Sequence, residues 1–500
     1  MSTNRRDFIK FVVAGAVTAG CPLDLSLLSA AENAPVVEGE DNRICHQVRD
    51  GHEFQRPPVS KKYDVVIVGG GVSGLTAAYL MKNHDWLLLE KEPHWGGNAY
   101  LEEYEGNAYA TGAAFVESPP AAELAKEIGL EPLPIKNWDG TIVKGEFIPD
   151  VWGTGLDNLP YSPAVRESFK KFRAEMLKID LEKRRVELDN VAFSTFLNGY
   201  PPELVAWWEA YAPSNWGSLP EDTSAMVALD EIRGIAGDNR VDERTTWPGG
   251  LGAITNRLAE VLKPHRADRM LLNATTIAVS QTRSEAHVTF MRSGRLQTVA
   301  AKAVIMATPK FITSRLVEGL PEKQRQAMRD MRYAPYPVVN LIFDKPVFNK
   351  GYDTWCPGNS FTDFIVADWT IRNRPGYQQK YNILTFYTPL REEQRGQMLT
   401  EVASRKIAAR VLTDFQKLFP GSDVMPLEVH IYRRGHPMYM VTPGNFTKTL
   451  PIVRRPMERV FFANTDSEGP VSTTSTGITA ARRAVREAEK AMAGRAAAHA

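Results

Sequence analysis

The first concentration of chemistry-bearing residues is Gly69-Gly70-Gly71-Val72-Ser73-Gly74, where Gly69, Gly71 and Gly74 satisfy G-x-G-x-x-G. Between a strand and a helix this spacing serves a pyrophosphate. The first glycine permits the tight turn, the second lets backbone approach the phosphates, and the third lets the helix pack on the strand. The helix start, at Val72 and Ser73, then turns its N–H groups toward the phosphate charge. Both flanking elements are present. Tyr63–Val68 is a β-branched run of the kind buried in parallel sheets, and Leu75 to Asn83 reads as helix. A second strand, Trp86–Leu89, ends in Glu90, placed to accept hydrogen bonds from ribose hydroxyls and to disfavour a 2′-phosphate. These residues predict a dinucleotide site rather than a glycine-rich surface loop.

A few residues further on, Gly96-Gly97-Asn98 resembles the second FAD fingerprint of the flavin amine oxidase superfamily, which includes amine and polyamine oxidases, protoporphyrinogen oxidase and phytoene-type desaturases. Asn98 stands where those proteins usually carry an arginine. The resemblance runs from about Tyr63 to Ala488. Ala110–Ala114 looks like the family's small-residue turn, and Thr246–Leu251 like the Pro-Gly-Gly turn re-entering the FAD domain. Thr276 stands where a valine meets the adenine, and Ala303–Pro309 is similar to a buried strand ending in a proline turn. Near the C-terminus, Arg459–Asp466 resembles the strand before the last helix, with Asn464 replacing a glycine. Asp466 is then the implied carboxylate beside the ribityl chain or pyrophosphate. Ser475 and Thr476 open the helix whose start, by the same resemblance, meets the flavin ring.

The resemblance therefore implies FAD held by Gly69, Gly71, Val72, Ser73, Gly74, Glu90, Gly96, Gly97, Asn98, Thr276, Asp466, Ser475 and Thr476. No cysteine follows Cys356, so the cysteinyl link of some amine oxidases is missing and non-covalent FAD is expected. The implied fold is α/β: a Rossmann-like FAD-binding domain of the two-dinucleotide-binding type with an interleaved α+β substrate domain. Residues 61–115, 225–309 and 446–490 are assigned to the first, and 116–224 and 310–445 to the second.

The substrate segments are rich in aromatics, among them Trp207, Trp208, Tyr211, Trp216, Trp355, Trp369 and Tyr387. Most are expected to be core. Tyr336–Pro346 resembles the strand passing the flavin N5, with Val338 where monoamine and polyamine oxidases carry a lysine. Tyr432–Tyr439 resembles an aromatic turn over the flavin, so Tyr432, His436 and Tyr439 are the expected catalytic residues. His436 reads either as a base or substrate-orienting group or as a structurally satisfied histidine. The expected reaction is hydride transfer from an amine or polyamine C–H to flavin. The alternatives are dehydrogenation of an apolar substrate, as in desaturases or protoporphyrinogen oxidase, and a flavin electron-transfer or binding protein without turnover.

The chain opens Thr3-Asn4-Arg5-Arg6-Asp7-Phe8-Ile9-Lys10 before a mild apolar run, which resembles a twin-arginine export signal over residues 1–31. That implies a folded passage through the twin-arginine machinery to the periplasm. Ser29-Ala30-Ala31 offers a cleavage site, and a membrane association is expected only if Cys21 is lipidated. Residues 32–60 read as a linker or surface-hugging arm. Hydrophobic residues are 43%, charged residues 24% and the net charge +1, a soluble balance without the field that draws nucleic acid. The cysteines Cys21, Cys45 and Cys356 lie far apart, without the spacing of a metal site. A Cys45–Cys356 disulfide and two free thiols both stay open. A small-molecule substrate is the expected partner, and no residue names the electron acceptor.

Overall fold

The computed structural model describes residues 34–496 apart from 117, 239 and 470, so the expected signal and Cys21 lie outside the described residues. The β-branched run lies on the strand Val59–Val68, whose last four residues are fully enclosed. Trp86–Leu89 pairs with it on one side and Arg295–Met306 on the other, both parallel. Met270–Leu271 extends the parallel set beyond Trp86–Leu89, and Val460–Phe462 beyond the C-terminal part of Arg295–Met306. The N-terminal part of Arg295–Met306 instead joins an antiparallel meander with Ala286–Arg292 and Ala274–Gln281, completing a seven-stranded sheet. Helices Val72–Leu80, Gly252–Arg266 and Thr474–Ala496 share a core with this sheet. Open parallel sheets bind ligands beyond the carboxyl ends of their strands, here Val68, Leu89, Met306 and Phe462.

A second sheet of eight strands runs in the order Val36–Gly39, Glu428–Arg433, Val338–Phe343, Asn382–Tyr387, Asp363–Val366, Asp353–Trp355, Gly140–Val143, Glu146–Ile148. Helix Glu401–Phe415 packs on it through Ala408, Val411 and Phe415. Helices Pro163–Leu177, Leu181–Asp189, Pro202–Trp216 and Ala225–Ala236 form a separate lobe around Trp152, Phe172, Phe193, Trp207, Trp208 and Trp216. Those tryptophans of the long helix are core, as their apolar helical setting favours.

A buried ion pair joins two segments on the FAD side, the helix beginning at Lys310 and the turn after strand Val460–Phe462. Lys310 Nζ lies 2.7 Å from Asp466 Oδ1, and both side chains are inaccessible to solvent. Asp466 Oδ2 accepts further bonds from the Lys310 amide (2.8 Å) and the Tyr333 hydroxyl (2.6 Å). Burial lowers the Lys310 pKa, and Asp466 opposes that shift.

Several expectations need correction. Of the two readings of residues 32–60, the described part takes the surface-hugging one, with Val36–Gly39 an edge strand and Arg43–Arg49 a helix. Helix Ala225–Ala236 packs on Pro163–Leu177 and Leu181–Asp189, so 225 does not begin the FAD domain. Helix Pro119–Glu127 packs on Thr474–Ala496, which puts it on the FAD side. Lys310–Leu316 likewise lies against Ala274–Gln281 rather than in the substrate sheet. Cys45 and Cys356 are free thiols, which decides between the two alternatives left open rather than correcting either. For the arm and the three helices the deciding contact is remote in sequence.

Asp466→Asn leaves Lys310 buried without its counter-charge, at an expected cost of about 3–5 kcal/mol in urea denaturation of the purified protein. An unchanged midpoint would show that the pair contributes nothing.

Candidate active site

Beyond the strand ends opens a cavity of about 1040 Å³ that continues across to the second sheet. The glycine loop forms one end. A Cβ on Gly74 would lie 1.7 Å from the Gly69 carbonyl oxygen, so Gly74 is dictated by helix-to-strand packing and not by the cavity. A Cβ on Gly71 would meet nothing closer than 3.8 Å, which leaves the space in front of that backbone open to a ligand. The Gly96 amide donates to the Gly70 carbonyl (2.9 Å), fastening the second fingerprint onto the first. The Glu90 carboxylate accepts from the amides of Gly70 (2.6 Å) and Glu92 (2.8 Å), and this fixes its orientation on the cavity wall. Burial raises its pKa, and those two bonds hold the shift back.

Thr276 lies at a bulge in its strand, on the wall, with Oγ1 buried and bonded to no protein atom. Ser73 Oγ donates to the Gly477 carbonyl (3.0 Å), joining the first and last helix starts. Ser475 and Thr476 also line the cavity, Ser475 Oγ accepting from the Ala121 amide (3.2 Å). Asn98 Nδ2 donates to the Pro437 carbonyl (2.7 Å), a bond between the two halves of the site that an arginine could not make in the same way. An open glycine cradle, an oriented carboxylate and an orphaned hydroxyl suit a dinucleotide. Val72, Gly96, Gly97 and Asn98 complete the wall.

Besides Gly74, two implied residues lie off the wall. Asp466 is not on the wall, because its carboxylate is committed to Lys310 and Tyr333. Tyr432 is not on it either; it packs with Tyr109 and Ile342, its hydroxyl 3.4 Å from that of Tyr109. Tyr439 does line the cavity, but its buried hydroxyl donates to the Gly469 carbonyl, so it offers a ring and no free proton. His436 lines the cavity with its ring 4.4 Å from that of Phe311. Burial and then Arg395 push its pKa down to about 4, which keeps the imidazole neutral near pH 7.

The sheet face toward the cavity holds residues that sequence reasoning missed. Ladder partners across it run Val338–Tyr387–Asp363–Trp355, and all four line the cavity. Directly paired residues share a face, so Val338 and Asp363 flank Tyr387 on one surface. Asp353 and Glu231 reach the same end. Ser214 Oγ donates to Asp363 Oδ1 (2.8 Å) and lies 2.8 Å from the Tyr336 hydroxyl. Serine has one hydroxyl proton, so Tyr336 is the donor in that second bond. Thr362 Oγ1 also donates to Asp363 (2.5 Å). Burial pushes Asp363 up to about 7 against these bonds, and burial pushes Glu231 up to about 7 against one from Tyr211. The signal in the sequence was an aspartate opening each short strand, Asp-Thr-Trp and Asp-Phe-Ile-Val, where a buried charge is rarely left unpaired.

Fold and site together define an FAD-dependent oxidoreductase with a substrate domain over the cofactor. The chain belongs to the flavin-containing amine oxidase family, whose sequence profile (flavin containing amine oxidoreductase) matches residues 72–488. It is 25% identical to oxidoreductase PigB of Serratia sp. (strain ATCC 39006), over 82% of this chain and 73% of that protein. It is 24% identical to flavin-containing amine oxidase B of Homo sapiens, over 87% of each. In fold it is similar to a putrescine oxidase solved with putrescine (TM-score 0.67, 18% identity, covering 85% of this chain and 98% of that one). Cyclohexylamine oxidase from Brevibacterium oxydans IH-35A is equally similar (TM-score 0.67, 19% identity, 86% and 99%).

Gly74→Ala is expected to abolish FAD retention, since its Cβ would overlap the Gly69 carbonyl. Gly234→Ala, in open space on a helix, is expected to purify with full flavin absorbance. Equal flavin content in the two variants would contradict the packing role of Gly74.

Proposed function

We propose that the protein oxidises an amine or polyamine at the carbon beside nitrogen, acting as a dehydrogenase with non-covalently bound FAD, and that it is exported to the periplasm. The observation carrying this reading is the group of carboxylates, Asp353, Asp363 and Glu231, at the end of the flavin cavity. An ammonium ion entering there exchanges water for charge-assisted hydrogen bonds in a site of low polarisability. Trp355, Tyr336 and Tyr387 offer ring faces that attract cations as well. FAD held by the Gly69–Ser73 loop, Glu90 and the start of the last helix would supply the hydride-accepting chemistry for the substrate carbon. Asp363, its lone pairs oriented by Ser214 and Thr362, holds the substrate nitrogen. Neutral His436 and Tyr439 wall the approach without adding charge.

Val338, in the place of the family's lysine, supports a dehydrogenase over an oxidase that reacts rapidly with oxygen. It also favours the second reading, dehydrogenation of an apolar substrate, which would leave the carboxylates without a task. An electron-transfer role without turnover leaves the substrate end of the cavity unexplained. Export rests on Arg5-Arg6 and the apolar run behind them, with cleavage after the small residues near Ala31.

Anaerobic addition of putrescine, spermidine or aromatic amines should bleach the visible flavin band, with slow recovery in air. Bleaching by apolar reductants alone would move the assignment to the second reading, and bleaching by nothing would leave the third. KM should fall as pH rises through about 7, where Asp363 and Glu231 ionise while an alkylammonium stays charged. A carboxyl with a raised folded-state pKa stabilises the fold fully below its ordinary range, and that contribution is lost as pH rises through about 7. Binding and stability should therefore change in opposite directions across this window. Asp363→Asn should raise KM for the amine about tenfold or more and flatten its pH dependence. Replacing Arg5-Arg6 by Lys-Lys should retain the protein in the cytoplasmic fraction.

A further inference from the structure

We infer that the segment Pro35–Arg49 is a built part of the FAD site, closing over the adenosine end of the cofactor and controlling its retention. This inference rests on FAD binding and not on the identity of the amine. The segment lies wholly outside the family match, which begins at residue 72.

The segment is secured on both domains. Val36–Gly39 adds a parallel edge strand beside Glu428–Arg433, with Val36 opposite His430 and Gly39 opposite Arg433. Arg405 Nε donates to the Pro35 carbonyl (3.2 Å) and Arg433 Nε to that of Glu38 (3.2 Å). The chain then crosses to the FAD side, where the Asp41 amide donates to Glu92 Oε1 (3.2 Å). Glu92 pairs with Lys91, and Glu40 and Glu92 together raise the Lys91 pKa despite its burial. This stitch lies next in sequence to Glu90. Helix Arg43–Arg49 follows, packed against strand Ala274–Gln281 and helix Lys310–Leu316. It turns Asn42, Cys45, His46 and Arg49 to the same cavity that Glu90 and Thr276 line. Arg56 pairs with Glu318 before the chain enters the central strand.

The helix is seven residues long, has no fully buried side chain and no side-chain N-cap. Helices this short are marginal on their own, so what holds it in place is the surface it covers. With FAD in the cavity that surface includes the ligand, and binding the folded arm more tightly than the open one stabilises it by linkage. Conversely, the cofactor cannot leave the adenosine end without displacing the helix. Elements that open at low cost are where ligand exit is controlled.

The test uses Cys45 as both probe and lever. N-Ethylmaleimide should alkylate Cys45 about tenfold more slowly in the holoenzyme than in FAD-stripped protein, read by peptide mass, because bound ligand closes the arm. Cys45→Trp, which fills the cavity side of the helix, should weaken FAD binding about tenfold or more by fluorescence titration. Val186→Trp, a change on an exposed helix position, should leave it unaltered. Equal alkylation rates with and without FAD, or wild-type FAD affinity in Cys45→Trp, would overturn the inference. If Cys45→Trp fails to fold, the alkylation rates decide alone. Neither readout involves amine turnover, so the outcome is independent of the substrate assignment.

Discussion

A pyrophosphate enclosed by protein must find backbone N–H groups at fixed positions, because nothing in an apolar interior replaces the water it loses. That constraint organises this molecule. It requires the strand Val59–Val68 to stop at Gly69, the helix to begin at Val72, and Gly74 to lie against the Gly69 carbonyl. It also requires a second strand to deliver Glu90 beside the loop, and Gly96 to fasten onto Gly70. The parallel sheet, the helices on it and the buried Lys310–Asp466 pair behind the last strand hold these positions rigid. The substrate sheet can then be a separate layer, because one cavity runs from the fingerprint loop across to it.

The cavity that results is chemically unequal along its length. At the fingerprint end its wall carries the glycine-loop amides and the oriented Glu90, with Lys91, Glu92 and the arm residues His46 and Arg49 beside them. At the sheet end it carries Asp353, Asp363 and Glu231 among aromatic rings, with Val338 two strands from Asp363 on the same ladder. Anions kept in a buried setting tend to serve a function, since a hydrophobic replacement would be cheaper for folding alone. The raised pKa values of Asp363 and Glu231 show what their burial costs. A cation entering the cavity would offset that cost.

How much of this was legible depended on the distance over which each feature is determined. The glycine loop, its strand and helix, and Glu90 were readable because their demands are local: a turn, a close approach, a pleat. Asp466 was misread because its partner, Lys310, is 156 residues away. Linker and surface-hugging arm stayed undecided for residues 32–60 because the strand that completes Val36–Gly39 begins at Glu428, and four residues of strand carry little pattern of their own. Tyr432 and Tyr439 share a turn in the sequence, yet only Tyr439 faces the cavity. The acidic end was invisible as a site because Ser214, Glu231, Asp353 and Asp363 come from separate segments, and only the antiparallel register of Asp353–Trp355 against Asp363–Val366 brings two of them together. Residue type was informative there, but convergence was not.

The central claim is that the acidic end of the cavity receives a substrate ammonium group. It is tested most directly by a crystal structure of the reduced holoenzyme soaked with a diamine. The account predicts a nitrogen within about 3 Å of the Asp363 carboxylate, the distance of a charge-assisted hydrogen bond. A diamine bound with both nitrogens away from Asp353, Asp363 and Glu231, or an apolar molecule filling that end, would contradict it.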